Sequence, residues 1–461
     1  MVVTIDTVIR GGTVVTANGT YDADVAIDGE KIHAVGERDS FPDADDVVDA
    51  TGRLVLPGIV DPHVHVDDPF SADSYETASR AAAVGGTTTL IGFAFQRWAG
   101  EMGVIDGDDT LPEAIDAAKE RGEDALIDFS LHGAITADDP AVLDDLDDVV
   151  ADGVTSIKMF STYDHGLQNG FMQRVLERLA ELDAVAAVHT EDDSVCQMLT
   201  ERFREAGRGD PEDYPQSRPD YAEAMAAEDA VRMATEAGAK YYGVHTSCRK
   251  SAEVLAAFRD DGSMVRTETC THYTTLDDTV YEEVGNQAMI APPIRTPDDI
   301  EAMFEHLSEA TIDVVSTDHC GYTLESKTVE NWWDSTFGAN ALQTSLPVFH
   351  DEAINERGFS YPFLVRAMCT RPAETFGLSG KGTLDPGTDA DIVVFDPEES
   401  YTITADDNES VADFSIYEGR EVTGRVKRTY VRGELVADDG DVVGDPGHGA
   451  FLERDIPDWS P

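Results

Sequence analysis

Asp61-Pro62-His63-Val64-His65 places two imidazoles two residues apart. On an extended strand, side chains at i and i+2 share a face, so His63 and His65 can converge on one cation. His189, His245 and Asp318 each close a further short apolar run. Any one of them alone reads as an ordinary polar residue at a strand end. Four histidines and an aspartate at matching ends of successive runs read as a ligand set.

Lys158 is the sixth member. It lies in the apolar run 154–160 of a chain in which only eight of 33 basic residues are lysine. An ammonium there is desolvated, and a cation held by nearby histidines repels it. One reading is a snorkelling or salt-bridged lysine. The other is a neutral amine that captures carbon dioxide, giving a carbamate whose oxygens bridge two cations. Neutral imidazoles suit zinc and related metals, and a bridging carboxylate-like group suits a pair about 3.5–4 Å apart. The expected cofactors are therefore two divalent ions, zinc first, with carbon dioxide held as the lysine carbamate.

Such a pair lowers the pKa of a bridging water and gives hydroxide near neutrality. Asp318 then serves as ligand and proton shuttle, taking the proton during attack and handing it to a departing nitrogen. Tyr163, five residues after Lys158, can donate to the oxyanion of a tetrahedral intermediate. It reads equally well as an ordinary loop aromatic.

These residues need a frame that brings strand ends together. Apolar β-type runs at 58–66, 87–95, 126–132, 156–160, 185–189, 241–245, 264–269 and 312–318 alternate with Ala/Glu-rich helical text. Eight such repeats predict an α/β chain built on a parallel (β/α)8 TIM barrel, with the ligand set at the C-terminal rim. The two ends differ from the middle. Asn18-Gly19 and Asp28-Gly29 mark hairpins in the first 55 residues, and short β-rich runs return after residue 380. The expected division is a barrel over 57–379 and a small composite β-sandwich, with a C-terminal tail, from 1–56 and 380–461.

Composition narrows the function classes. Lys+Arg number 33 and Asp+Glu 92, and 33 − 92 gives a formal charge of −59. The acids are spread along the chain, so nucleic acid and anionic membranes are excluded as partners. A hydrated acidic surface of this kind suits concentrated salt, as in a halophile. Five cysteines form no CxxC pair, residues 1–12 lack the pattern of a signal peptide, and no run approaches about 18 apolar residues. A cytoplasmic location is expected. Cys248 and Cys320 read as packing residues; His33, His306, His350 and His448 read as structural. His132 and His319 carry no assigned role, and Trp332-Trp333 reads as lid, subunit contact or core.

Taken together, several motifs resemble the cyclic amidohydrolases, and most closely the dihydropyrimidinase/hydantoinase branch. They are Asp61-Pro62-His63-Val64-His65-Val66-Asp67-Asp68-Pro69-Phe70, Lys158-Met159-Phe160, Val188-His189-Thr190-Glu191, Val244-His245-Thr246-Ser247-Cys248 and Ser316-Thr317-Asp318-His319-Cys320. Ala291-Pro292-Pro293-Ile294-Arg295, Arg371-Pro372-Ala373-Glu374 and Tyr417-Glu418-Gly419-Arg420-Glu421-Val422-Thr423-Gly424 extend the likeness over nearly the whole chain. The resemblance implies that His63, His65, Lys158 and Asp318 hold the more buried metal. It implies that carbamylated Lys158, His189 and His245 hold the second. Tyr163 matches the tyrosine that polarises the scissile carbonyl. Backbone groups near Ala291 and Phe337 match those that hold the ring; the branch usually carries Ser and Asn there.

The implied substrate is a small cyclic amide or ureide, a dihydropyrimidine or hydantoin first and allantoin second. Allantoinase-like text occurs in Gly338-Ala339-Asn340-Ala341-Leu342-Gln343 and Glu268-Thr269-Cys270-Thr271-His272-Tyr273. Dihydroorotate ranks last, because Asp67 stands where its carboxylate calls for an arginine. Inactive relatives that act as interaction proteins have lost metal ligands, whereas all six positions are filled here. Relatives form dimers or tetramers, so a homo-oligomer is expected, with the tail from Gly447 reaching a neighbouring subunit.

Overall fold

Eight parallel strands surround the centre of the fold: β1 (Ile59–Asp61), β2 (Thr87–Phe95), β3 (Asp128–Ala134), β4 (Ser156–Phe160), β5 (Val185–His189), β6 (Lys240–Gly243), β7 (Val265–Cys270) and β8 (Val314–Ser316). They pair in chain order from β1 to β8. This is the expected (β/α)8 barrel, seen in a computed structural model that describes residues 5–42, 44–96, 99–100, 103–104 and 110–459. Every residue of β2 to β6 is buried. Covering a parallel sheet on both faces requires such runs, and their apolar text reflects it.

The ring closes at its rim. Pro62 has no N–H to give a ladder, so the first run breaks after Asp61 and resumes at Val64–His65. That short strand pairs in parallel with His319–Cys320, which follows β8. The Asp61 carboxylate accepts from the backbone N–H and hydroxyl of Thr317 across the same seam, at 3.3 and 2.6 Å. The third run also differs from expectation. Residues 122–124 form a 3-10 turn, β3 starts at Asp128 and runs on to Ala134, and His132 therefore lies inside the strand instead of ending it.

Helix caps punctuate the outer layer. Ser74 and Thr77 form a capping box at the start of Tyr75–Gly85, and Gly86, with φ of 89°, ends it. Thr110 with Glu113, and Thr296 with Asp299, do the same for Leu111–Arg121 and Pro297–Ser308.

The chain ends form two further sheets. One runs in the order 31–36, 24–28, 7–10, 46–49; the other joins 441–442, 434–438, 421–431, 392–402, 54–57, 13–16 and 19–22. Ile9, Val14, Val25, Val55, Ile392 and Val394 pack in one buried cluster between them. The hairpins at 13–22 and 24–36 are those the Asn-Gly and Asp-Gly dipeptides predict.

The tail from Gly447 is anchored within its own chain. It crosses the base of its own barrel, where the strands begin. Phe129 and Ala450, Leu452 and Phe129, and Arg454 and Gly153 are joined by backbone hydrogen bonds. The Lys240 ammonium donates to Pro457 O at 2.6 Å, and Trp459 is buried beside Val60, Val185 and Phe376. Nearby, Lys381 Nζ lies 2.5 Å from Asp128, 2.7 Å from Asp391 and 3.1 Å from Asp389, tying β3 to the terminal sheets. All five cysteines are buried and unpaired. Among the described residues, no helix is long and apolar enough to cross a membrane.

Candidate active site

The rim opposite the tail encloses a cavity of about 140 Å³. All nine residues singled out from the sequence line it: His63, His65, Lys158, Tyr163, His189, His245, Ala291, Asp318 and Phe337. His63 Nε2 and His65 Nε2 lie 3.2 and 3.6 Å from the same oxygen of Asp318. Lys158 Nζ is 3.4 Å from His63 Nε2. The His189 and His245 rings meet edge to face, 4.4 Å apart.

Buried carboxylates orient these rings. Glu268 holds His63 Nδ1 at 2.5 Å and Asp68 holds His65 Nδ1 at 2.7 Å, so both histidines turn Nε2 inward. Glu268 also accepts from the Tyr242 hydroxyl and the His245 backbone N–H. His189 is held the other way round: Glu191 meets its Nε2 at 3.0 Å, leaving Nδ1 for the cavity. Glu191 is itself held by Arg218 at 2.5 Å. Anchoring the distal nitrogen to a carboxylate fixes the tautomer of a metal-binding histidine.

The donor set fits a cation. Ligand atoms of His63, His65 and Asp318 lie within 4.8 Å of one another, all buried. Burial keeps His63 and His245 well below the usual histidine range and His189 at about 4, so the rings are neutral near pH 7, the form that binds metal. Burial also pushes the Lys158 ammonium down to about 8, against the pull of Asp318 and Glu268. The same desolvation raises Asp318 to about 6 and lifts the Tyr163 phenol, which stays protonated.

Backbone strain concentrates here. Asp67, Tyr163, His245 and Asp318 all have positive φ, between 36° and 71°. Such conformations cost non-glycine residues on the order of 1–3 kcal/mol each and persist where the surroundings impose them. Gly338 has φ of 134°, and a Cβ there would meet the Cys320 Cβ at 2.5 Å, so only glycine lets this loop approach the wall.

An amidohydrolase family profile matches residues 252–436. An allantoinase of Salmonella choleraesuis is 33% identical over 446 residues, covering 94% of this chain and 95% of the relative. The chain belongs to the amidohydrolase family. This amidohydrolase also resembles the solved dihydropyrimidinase of Brevibacillus agri, with a TM-score of 0.92 and 32% identity over 98% of this chain and 99% of the other. The D-hydantoinase of Bacillus sp. AR9 gives a TM-score of 0.92 and 32% identity over 98% and 100%.

Other residues of the amidohydrolase take structural places. His132 sits below the site, its Nδ1 2.6 Å from the Ser156 hydroxyl and its Nε2 2.9 Å from Pro62 O, bracing the loop before His63. His319 points away from the cavity toward Asp73 at 2.9 Å, and its Nδ1 accepts from the Ala341 N–H. Cys320 faces the cavity, as alternation along a strand requires. Trp332 is core, its indole N–H donating to Arg208 O.

Sequence reasoning did not assign Asp68, Glu191, Arg218 or Glu268 to the site. Glu191 carries a local signal, two residues beyond His189. Glu268 has only its acidity within the β7 run, since its partner His63 is 205 residues away in the chain.

Proposed function

We propose that the protein hydrolyses a small cyclic amide or ureide, opening a dihydropyrimidine or hydantoin ring. The observation that carries this reading is the convergence of His63, His65 and Asp318 beside the buried Lys158 amine, with each of those two imidazoles turned inward by its own carboxylate. In this reading His63, His65, Lys158 and Asp318 hold one divalent ion, and His189, His245 and Lys158, as its carbamate, hold the other. Zinc is the metal that imidazole and carboxylate-type donors suit. When bound, the pair supplies Lewis acidity and a water activated near neutral pH.

The protein side chains do the rest. Asp318, raised toward neutrality by burial, takes a proton from the attacking water and delivers it to the leaving ring nitrogen. Tyr163, kept protonated, donates to the carbonyl oxygen as it gains charge. The backbone at Ala291 and Phe337 receives the ring, and Phe70, Phe160 and Phe337 exclude bulk water from the cavity. Asp67 accepts from the Tyr75 N–H and Asp68 from His65, so both acids are committed, and neither gives the carboxylate of a dihydroorotate a cation to meet.

Allantoin is the second reading, supported by the Salmonella relatives named allantoinase. The same proposal divides the chain into a catalytic barrel over 57–379 and a companion domain from 1–56 and 380–461. It places the enzyme in the cytoplasm as a homo-oligomer without nucleic acid or membrane partners.

The test is a panel of dihydrouracil, hydantoin, allantoin and dihydroorotate, assayed in high salt with metal content measured alongside. Turnover of dihydrouracil or hydantoin with about two zinc ions per chain is expected. A metal-free protein that turns over none of the four would overturn the reading.

A further inference from the structure

Lys327 ends the short helix Leu324–Lys327 and is fully buried. No ion pair among the described residues includes it. Its Nζ instead donates to two backbone carbonyls, Met289 O at 2.9 Å and Thr336 O at 2.8 Å. The rings of Tyr322 and Phe414 flank it at 5.5 and 6.0 Å.

The two carbonyls belong to the two loops that wall the cavity. Met289 lies two residues before Ala291, and Thr336 immediately precedes Phe337 and Gly338; Ala291, Phe337 and Gly338 all line it. Met289 O also accepts from the Gly338 N–H at 2.7 Å, and the Ser326 hydroxyl lies 3.2 Å from that of Thr336. Neither loop has a strand partner at this point, so their buried carbonyls need donors from elsewhere. Met289 O has the Gly338 N–H and Thr336 O has the Ser335 hydroxyl, at 3.1 Å; Lys327 is the donor common to both. Burial pushes its ammonium down to about 7, but even a neutral amine keeps two N–H groups, one for each carbonyl.

We propose that Lys327 is a positioning residue for substrate binding: by joining Met289 O to Thr336 O it sets the separation of the Ala291 and Phe337 backbones that receive the ring. This rests on the reading that those backbones hold a cyclic amide. Lys327 touches no reacting atom, so its removal acts on ring binding and spares the chemical step.

The experiment compares zinc-loaded wild type, Lys327→Met and Lys327→Gln on the ring the wild type turns over best. Methionine keeps the bulk and loses the donors; glutamine keeps two N–H groups on an arm one bond shorter. Lys327→Met is expected to raise KM about tenfold, with kcat within about threefold of wild type and zinc content unchanged. Lys327→Gln is expected between the two, and it decides the question if Lys327→Met does not fold. A folded, fully metallated variant with the wild-type KM overturns the inference, as does one that loses kcat at constant KM. Absence of any wild-type turnover defeats the functional reading, and this inference with it.

Discussion

The two ends of the barrel each gather a trio of ligand-type side chains, and they resolve the resulting charge in opposite ways. At the base Asp128, Asp389 and Asp391 converge as closely as His63, His65 and Asp318 do at the rim. The base carries its own cation: Lys381 Nζ sits against all three carboxylates, and Arg432 adds a second contact to Asp128. At the rim the lysine stands beside the trio, 3.4 Å from His63; burial keeps His63 neutral, and the anchoring carboxylates turn both imidazoles inward. Proximity of acids and histidines therefore does not define a metal centre. What separates the two is whether a resident ammonium already occupies the middle.

That contrast can be tested from the strongest effect to the weakest. Lys158→Ala removes the proposed shared ligand at the rim. Activity should fall by more than about 10⁴-fold and recover in part with short carboxylic acids that replace the carbamate. Unchanged turnover would remove Lys158 from the chemistry. Asp318→Asn should retain some metal while kcat drops about 10²- to 10⁴-fold; a near-normal rate would place the proton shuttle elsewhere.

Lys381→Met acts at the other end. It leaves Asp128 and Asp391 buried without their ammonium, at a cost of about 3–5 kcal/mol read as a lower Tm. The kcat/KM of the folded enzyme should not move, and a change there with an unaltered Tm would erase the distinction between the two ends. The mildest effect concerns the exposed acids that belong to neither cluster. Raising salt from about 0.1 to 2 M should lift Tm on the order of 5–10 °C by screening their mutual repulsion. A flat response would show that the charge of −59 is carried at no cost to folding.

Much of this was legible in the residues. The β2, β4 and β5 strands coincide with their runs, because burial on both faces makes most of each strand apolar. The histidine pair was legible from the period of two. The seam at Val64–His65 and His319–Cys320 was not, since a ring closes by pairing its first strand with its last and neither run names its partner. Of the imidazole anchors, Glu268 was hidden for the same reason, whereas Asp68 and Glu191 stand three and two residues beyond their histidines. The packing of the tail was not legible, because an aromatic such as Trp459 signals burial without stating against which surface; within this chain that surface is the base of the barrel. His132 lies inside its strand because that strand runs two residues beyond the end of its apolar text, to Ala134.

The joint between first and last strands lies among the metal-binding candidates themselves. Asp61 and Thr317, 256 residues apart in the chain, fasten to each other immediately before His63 and Asp318. The buckle of the cylinder and the grip on its cargo are thus one piece of hardware. Whatever strips the ions also slackens the first stave against the last, so amide exchange at Val64 and His319 should report occupancy before any global unfolding is seen.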